Sequence, residues 1–338
     1  QYYTKIENES KADPDNNELK KKYIETSAKL LSYCIKYDSL LVLDTKMKPE
    51  DKDKEHKIYQ PKGVNSAIQL LQAAQNYSNS ENQEELKQGA KYAEIFINAM
   101  ENSNLMKDFK HAELEGWKTY SKAFRAQSYL NIEGTPEETI VNAYKALFNT
   151  NFKGIAYQSL MNYYREKDKA KQNLYLQEGI DALKGDAEQK DLRANFVTIL
   201  MQNQFQAGDK EGFMKTAEIM KTEFADDENA VNAYLMEGQF AFEAKDYETA
   251  KKAFLAGSEK YPDDEKCLLM AARSAWMKAQ TTGSKKEDMN EAITLFKKLE
   301  AANPESPELW GESLYVLYNN TQQPKLAANY KKYYKSNK

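Results

Sequence analysis

Residues 231–263 read VNAYLMEGQFAFEAKDYETAKKAFLAGSEKYPD, and this stretch decides the fold. It predicts one helix–turn–helix unit, with helices at about 228–244 and 247–260. Asp246 caps the second helix, and Pro262, which has no N–H to donate, ends it. Counting Val231 as the first position, Tyr234, Gly238, Ala250, Phe254, Gly257 and Pro262 fall at positions 4, 8, 20, 24, 27 and 32. Ala250, Phe254 and Pro262 return as Ala292, Phe296 and Pro304, all at one constant offset. Such recurrence marks stacked helical hairpins, none of which buries its apolar faces alone.

From Val64 onward, helices alternate with short breaks. The other expected pairs are 64–78 with 83–101, 108–131 with 136–149, 153–166 with 168–184, 188–206 with 209–224, 264–280 with 286–301 and 305–319 with 323–336. Gly208 closes one helix and Asp209 caps the next; Thr135 is the expected cap of the helix that Pro136 begins. Upstream, 1–17 is polar around Asp13-Pro14-Asp15 and reads as a flexible lead. Asn17 or Asp15 would cap a helix from about Glu18 to Leu43, whose Tyr23, Ile24, Leu30, Leu31, Cys34, Ile35 and Tyr37 form one apolar stripe. The charged run inside 44–63 predicts a loop, or a short hairpin pairing 41–43 with 58–59. The expected body is a single α-solenoid over 18–338, with its clearest repeats in 194–338.

The positions of Tyr234, Gly238, Ala250, Phe254, Gly257 and Pro262 resemble the tetratricopeptide (TPR) repeat. The usual period of that repeat is about 34 residues. The next repeat is longer by eight, and the excess matches the polar insert around Thr281–Asp288. The resemblance is strongest over 231–304, fair over 194–225 and 305–333, and fades before Gln60; at Ala194 the small residue of position 20 is replaced by Phe213. It implies an all-α, right-handed superhelix of antiparallel helix pairs. Gly238 and Ala250 would let the two helices of a pair approach, and Phe254 would fill the gap to the neighbour. It further implies that first helices line a concave groove through positions 2, 5, 9, 12 and 13. These are Asn232, Leu235, Gln239, Phe242 and Glu243, then Lys266, Leu269, Arg273, Trp276 and Met277, then residues near Glu308, Gly311, Tyr315, Tyr318 and Asn319. In the repeat at Ala194 they include Asn195, Thr198, Gln202 and Phe205. Position 12 is aromatic four times, as Phe205, Phe242, Trp276 and Tyr318, which reads either as packing or as a binding ladder. Asn232, Leu235, Met236 and Gln239 contain no cation, which argues against the carboxylate clamp of one TPR subclass.

Composition bounds the function. The chain has 338 residues, 41% of them hydrophobic and 30% charged, with a formal net charge of -4 and Lys and Glu interspersed. No concentrated basic face points to nucleic acid, and no apolar run is long enough to point to a membrane span. Cys34 and Cys267 sit in distant helices and read as small buried apolar groups. His56 and His111 stand alone; His111 lacks the second histidine of a zinc-protease helix. No Cys-x-x-Cys, glycine-rich phosphate loop or nucleophile elbow occurs. Acidic clusters at 226–228 and 263–265 precede helices, where the helix dipole favours negative charge.

The expectation is a non-enzymatic scaffold, without cofactor or metal, that holds a protein or peptide partner in its groove. The residues expected to do so are Phe205, Asn232, Leu235, Gln239, Phe242, Leu269, Arg273, Trp276, Tyr315 and Tyr318. A chain that begins Gln1-Tyr2-Tyr3 reads as an exported, periplasmic or envelope protein that has lost its leader, with a lipid anchor upstream of Gln1 as one form of that reading; the competing one is a cytoplasmic protein. The alternative function is a carbohydrate-binding envelope lipoprotein. Against it, the three tryptophans, Trp117, Trp276 and Trp310, all fall on expected helices.

Overall fold

A computed structural model describes residues 2–43, 48–103, 106, 113–283 and 285–334. Every regular element among them is a helix, and consecutive helices pack as neighbouring pairs. The chain divides into two compact units, Gln1–Ala182 and Leu183–Lys338, where the sequence reading draws one body from 18 to 338.

The first unit holds α1 (Tyr2–Ala12), α2 (Asn17–Leu43), α3 (Pro49–Ser78), α4 (Gln83–Asn102), α5 (Leu114–Asn131), α6 (Glu137–Lys145), α7 (Lys153–Tyr164) and α8 (Lys169–Ala182). Four expectations are corrected here. The lead is helical from Tyr2, because Tyr3, Ile6 and Ser10 line one face and bury it. Tyr3 and Tyr23 share a hydroxyl–hydroxyl hydrogen bond of 3.1 Å. Asn16, and neither Asp15 nor Asn17, caps α2, its side-chain oxygen accepting from the Leu19 N–H at 3.1 Å. The expected loop or hairpin over 44–63 is the N-terminal half of α3 from Pro49 onward, and 41–43 belong to α2; 44–47 lie outside the described residues. Lys and Glu are good helix formers, Pro49 opens the helix, and Glu50 and Asp51 favour its first turn. Ala28, Leu31, Ala67, Leu70, Ala73, Ala93 and Phe96 form the core between α2, α3 and α4. Thr135 does not cap α6; its hydroxyl donates to the Ile132 carbonyl at 2.8 Å.

The second unit holds a short 3₁₀ turn (Ala187–Gln189), α9 (Lys190–Gln206), α10 (Lys210–Glu223), α11 (Ala230–Glu243), α12 (Tyr247–Lys260), α13 (Glu265–Thr281), α14 (Lys286–Ala302), α15 (Gly311–Asn320) and α16 (Pro324–Tyr330), ending in a 3₁₀ turn (Lys331–Tyr333). Three of its hairpins close in the same way. Gly208, Lys245 and Gln322 take the left-handed conformation, at φ 70°, 61° and 59°. The next residue's N–H then reaches back to the carbonyl five positions earlier: Asp209 to Gln204, Asp246 to Ala241 and Gln323 to Tyr318, at 2.9, 2.9 and 2.8 Å. Asp209 and Asp246 then cap the second helix by accepting from the Gly212 and Thr249 N–H groups. The excess of eight in the next hairpin goes mostly into helix: α13 and α14 have 17 residues each, α11 and α12 have 14 each.

The seam of α11 and α12 rests on one contact. A Cβ placed on Gly238 would lie 2.6 Å from Cδ1 and Cζ of Phe254 and closer still to Cε1, so the ring sits directly on the glycine. Phe254 is 1% exposed, with Ala250 and Ala241 buried beside it. Charged pairs tie the outer faces together. Lys251, itself buried, reaches Glu291 on α14 at 2.5 Å and Glu248 on its own helix at 3.0 Å, and Lys278 on α13 reaches Glu248 at 2.8 Å.

Candidate functional site

Two helices of the second unit present the same four-residue stripe. On α11 it is Asn232, Leu235, Met236 and Gln239; on α13 it is Lys266, Leu269, Met270 and Arg273. The spacing i, i+3, i+4, i+7 puts each set on one helix face, and each α13 member stands one repeat period after its α11 counterpart. Both stripes open on one cleft of about 430 Å³, closed at one side by Phe205 of α9 and floored by Phe254. That volume falls in the range of ligand clefts, roughly 300–1,000 Å³.

The middle of each stripe is apolar and its ends are polar. On α11 the ends are amides: Asn232, and Gln239, which donates to the Glu243 carboxylate at 2.8 Å. On α13 the ends are cations. Neither Lys266 nor Arg273 forms an ion pair among the described residues, and Arg273 is exposed. The acidic residues beside Lys266 in the chain are Glu265 and Asp264, whose carboxylate accepts from the Lys266 and Cys267 N–H groups at 3.0 and 3.2 Å. The cleft therefore carries its positive side chains along one wall only. It is suited to binding, through apolar contact and charge-assisted hydrogen bonds.

Of the residues expected in a groove, Phe205, Asn232, Leu235, Gln239, Leu269 and Arg273 meet here. Phe242, Trp276, Tyr315 and Tyr318 do not line the cleft. Phe242 packs edge-on against Tyr247 at 5.2 Å and Trp276 edge-on against Phe296 at 6.1 Å, while Tyr315 packs at a tilt against Tyr334 at 4.7 Å. Tyr318 is 8% exposed and stacks on Tyr330 at 5.7 Å. Phe205 itself packs on Phe240 at 4.8 Å. The position-12 rings are thus mostly hairpin packing, each held by an aromatic neighbour, and they form no exposed ladder. Met270 and Phe254 complete the cleft, although neither is among the residues that the sequence reading places in a groove; the doubled Leu-Met pair, one repeat period apart, carries the signal for Met236 and Met270.

Among the described residues, no group of three or more His, Cys, Asp or Glu is placed to hold a metal ion, and no helix is long and apolar enough to cross a membrane. The side chain of His56 and the whole of His111 lie outside the described residues. Cys267 is fully buried, and burial, with Asp264 nearby, pushes its thiol up to about 12. The first unit has two wider clefts, of about 630 and 620 Å³, whose lining residues show no such internal repeat. No protein-family model matches the chain, and no curated protein matches it either.

Proposed function

We propose that this chain is a non-enzymatic interaction scaffold of the TPR type, a right-handed stack of helical hairpins whose cleft between α11 and α13 holds an extended segment of a partner protein. The observation that carries the reading is the doubled polar–Leu–Met–polar stripe opening on a single cleft. Two apolar pads at the spacing of neighbouring hairpins suit a chain laid across the helices. An extended segment can lay one side chain on each pad. Leu and Met supply adaptable apolar contact. The carbohydrate reading has less support, since Trp310 is buried and Trp117 and Trp276 are half-buried, so none of the three indole rings lies open for a sugar to stack on.

The test is a random displayed peptide library panned on the full chain. Enriched peptides are then measured against Leu235→Ser/Leu269→Ser and against an exposed-face control, Lys252→Ser, with melting curves to verify folding. Loss of binding in the groove variant alone supports the reading. Failure to enrich any peptide, or equal binding to all three proteins, refutes it.

A further inference from the structure

We infer that the cleft reads an acidic pair flanking an apolar anchor, and reads it on the α13 side only. The inference rests on the proposal that the cleft holds an extended segment, and adds what that segment must carry.

Leu235 and Met236 form one pad and Leu269 and Met270 the other, on the first helices of adjoining hairpins around one cleft. A polyproline-II-like chain advances about 3.1 Å per residue with three residues per turn. Residues i and i+3 of such a segment then fall on the same side, about 9 Å apart, and one rests on each pad. The residues just before and after an anchor point to opposite sides of the chain, toward the two ends of the helix beneath it. On α13 those ends are Lys266 and Arg273, one turn to either side of Leu269 and Met270 and about 10 Å apart along the helix.

Both flanking positions over α13 thus meet a cation that forms no ion pair among the described residues. Both flanking positions over α11 meet an amide, Asn232 or Gln239, and beyond Gln239 stands Glu243, which would repel an acid. The partner is therefore an extended peptide segment of the pattern polar–apolar–polar–acidic–apolar–acidic. The two Leu-Met pads set the spacing of its anchors, and the change from amides to cations between the stripes sets where its charge lies.

The probes are two fluorescein-labelled hexapeptides, Ser-Leu-Ser-Glu-Leu-Glu and its Ser-Leu-Ser-Gln-Leu-Gln counterpart, titrated into the full chain by fluorescence anisotropy at low and high salt. The glutamate peptide should bind about tenfold or more tightly than the glutamine peptide. The gap should shrink at high salt, since these cations are open to solvent. Lys266→Gln/Arg273→Gln should abolish that preference, so that the two peptides bind alike. Lys266→Glu/Arg273→Glu should prefer Ser-Leu-Ser-Lys-Leu-Lys, a swap that damage to the fold cannot produce. Equal affinities for the glutamate and glutamine peptides, with both lost in Leu235→Ser/Leu269→Ser, would overturn this inference and leave the groove reading standing. Absence of binding by either peptide overturns this inference alone, whereas failure of the library panning overturns the groove itself.

Discussion

Gly238 lies in the interior of α11 at an ordinary helical φ, where alanine would normally be favoured by about 1 kcal/mol. Gly238→Ala should nevertheless destabilise the second unit. The added methyl would sit 2.6 Å from two carbons of the Phe254 ring and closer to a third, so the buried ring must shift to admit it. Overpacking of this kind costs about 1–3 kcal/mol. Set against the propensity gain, the net loss is about 0–2 kcal/mol, and Gly238→Leu should lose more. The decisive quantity is the coupling with the ring. In a Phe254→Leu background the clash is relieved and Gly238→Ala should become neutral or stabilising, so the double-mutant cycle should show a coupling of about 1–3 kcal/mol. For a unit the size of Leu183–Lys338 each kcal/mol moves Tm by roughly 2–4 °C, within reach of thermal unfolding followed by circular dichroism. Additive effects of the two substitutions, or a raised Tm for Gly238→Ala alone, would show that the ring does not rest on the glycine.

Lys245 is an exposed non-glycine residue at φ 61°, where Gly208 stands in the preceding hairpin. Lys245→Gly should raise stability by about 1 kcal/mol, read as a higher Tm, because the left-handed conformation costs an ordinary residue about that much. Lys278, with Lys251, holds the Glu248 carboxyl down from 4.5 to about 2. Because the folded-state value is depressed, this stabilisation is complete above about pH 4.5 and is lost as pH falls toward 2. Glu248→Gln should therefore melt lower than wild type at neutral pH, by about 1 kcal/mol or less given solvent screening, and the two Tm values should converge near pH 2. Cys267 should resist thiol reagents in the native protein and react at the rate of global unfolding in denaturant, since only the thiolate is nucleophilic; rapid native labelling would contradict its burial.

The second unit is legible where its chemistry is local. Asp209 and Asp246 cap helices through the N–H groups three positions on, and the pairing of Gly238 with Phe254 closes within one hairpin. The longer α13–α14 hairpin is legible too: helices expected at 264–280 and 286–301 stand at Glu265–Thr281 and Lys286–Ala302, although the excess of eight reads as a polar insert. The stretch before Gln60 misleads because runs of charge occupy exposed helix as readily as loop. Tyr3 and Ile6 become a buried face only once Tyr23 covers them, and α3 carries its charged half in helix. The cleft is legible in part. Leu235 and Leu269 follow from the repeat, but whether an aromatic ring faces the groove depends on which neighbour covers it. Tyr247, Phe296 and Tyr330 come from the partner helices, and nothing at Phe242, Trp276 or Tyr318 encodes that meeting.

Phe254 has two occupations: it is the floor of the cleft and the ring seated on Gly238. Any substitution that deepens or fills that floor must also alter the joint between α11 and α12. Evolutionary retuning of what the cleft accepts is therefore steered away from its base and toward the wall positions 232, 239, 266 and 273, where side chains can change without disturbing the hairpin beneath.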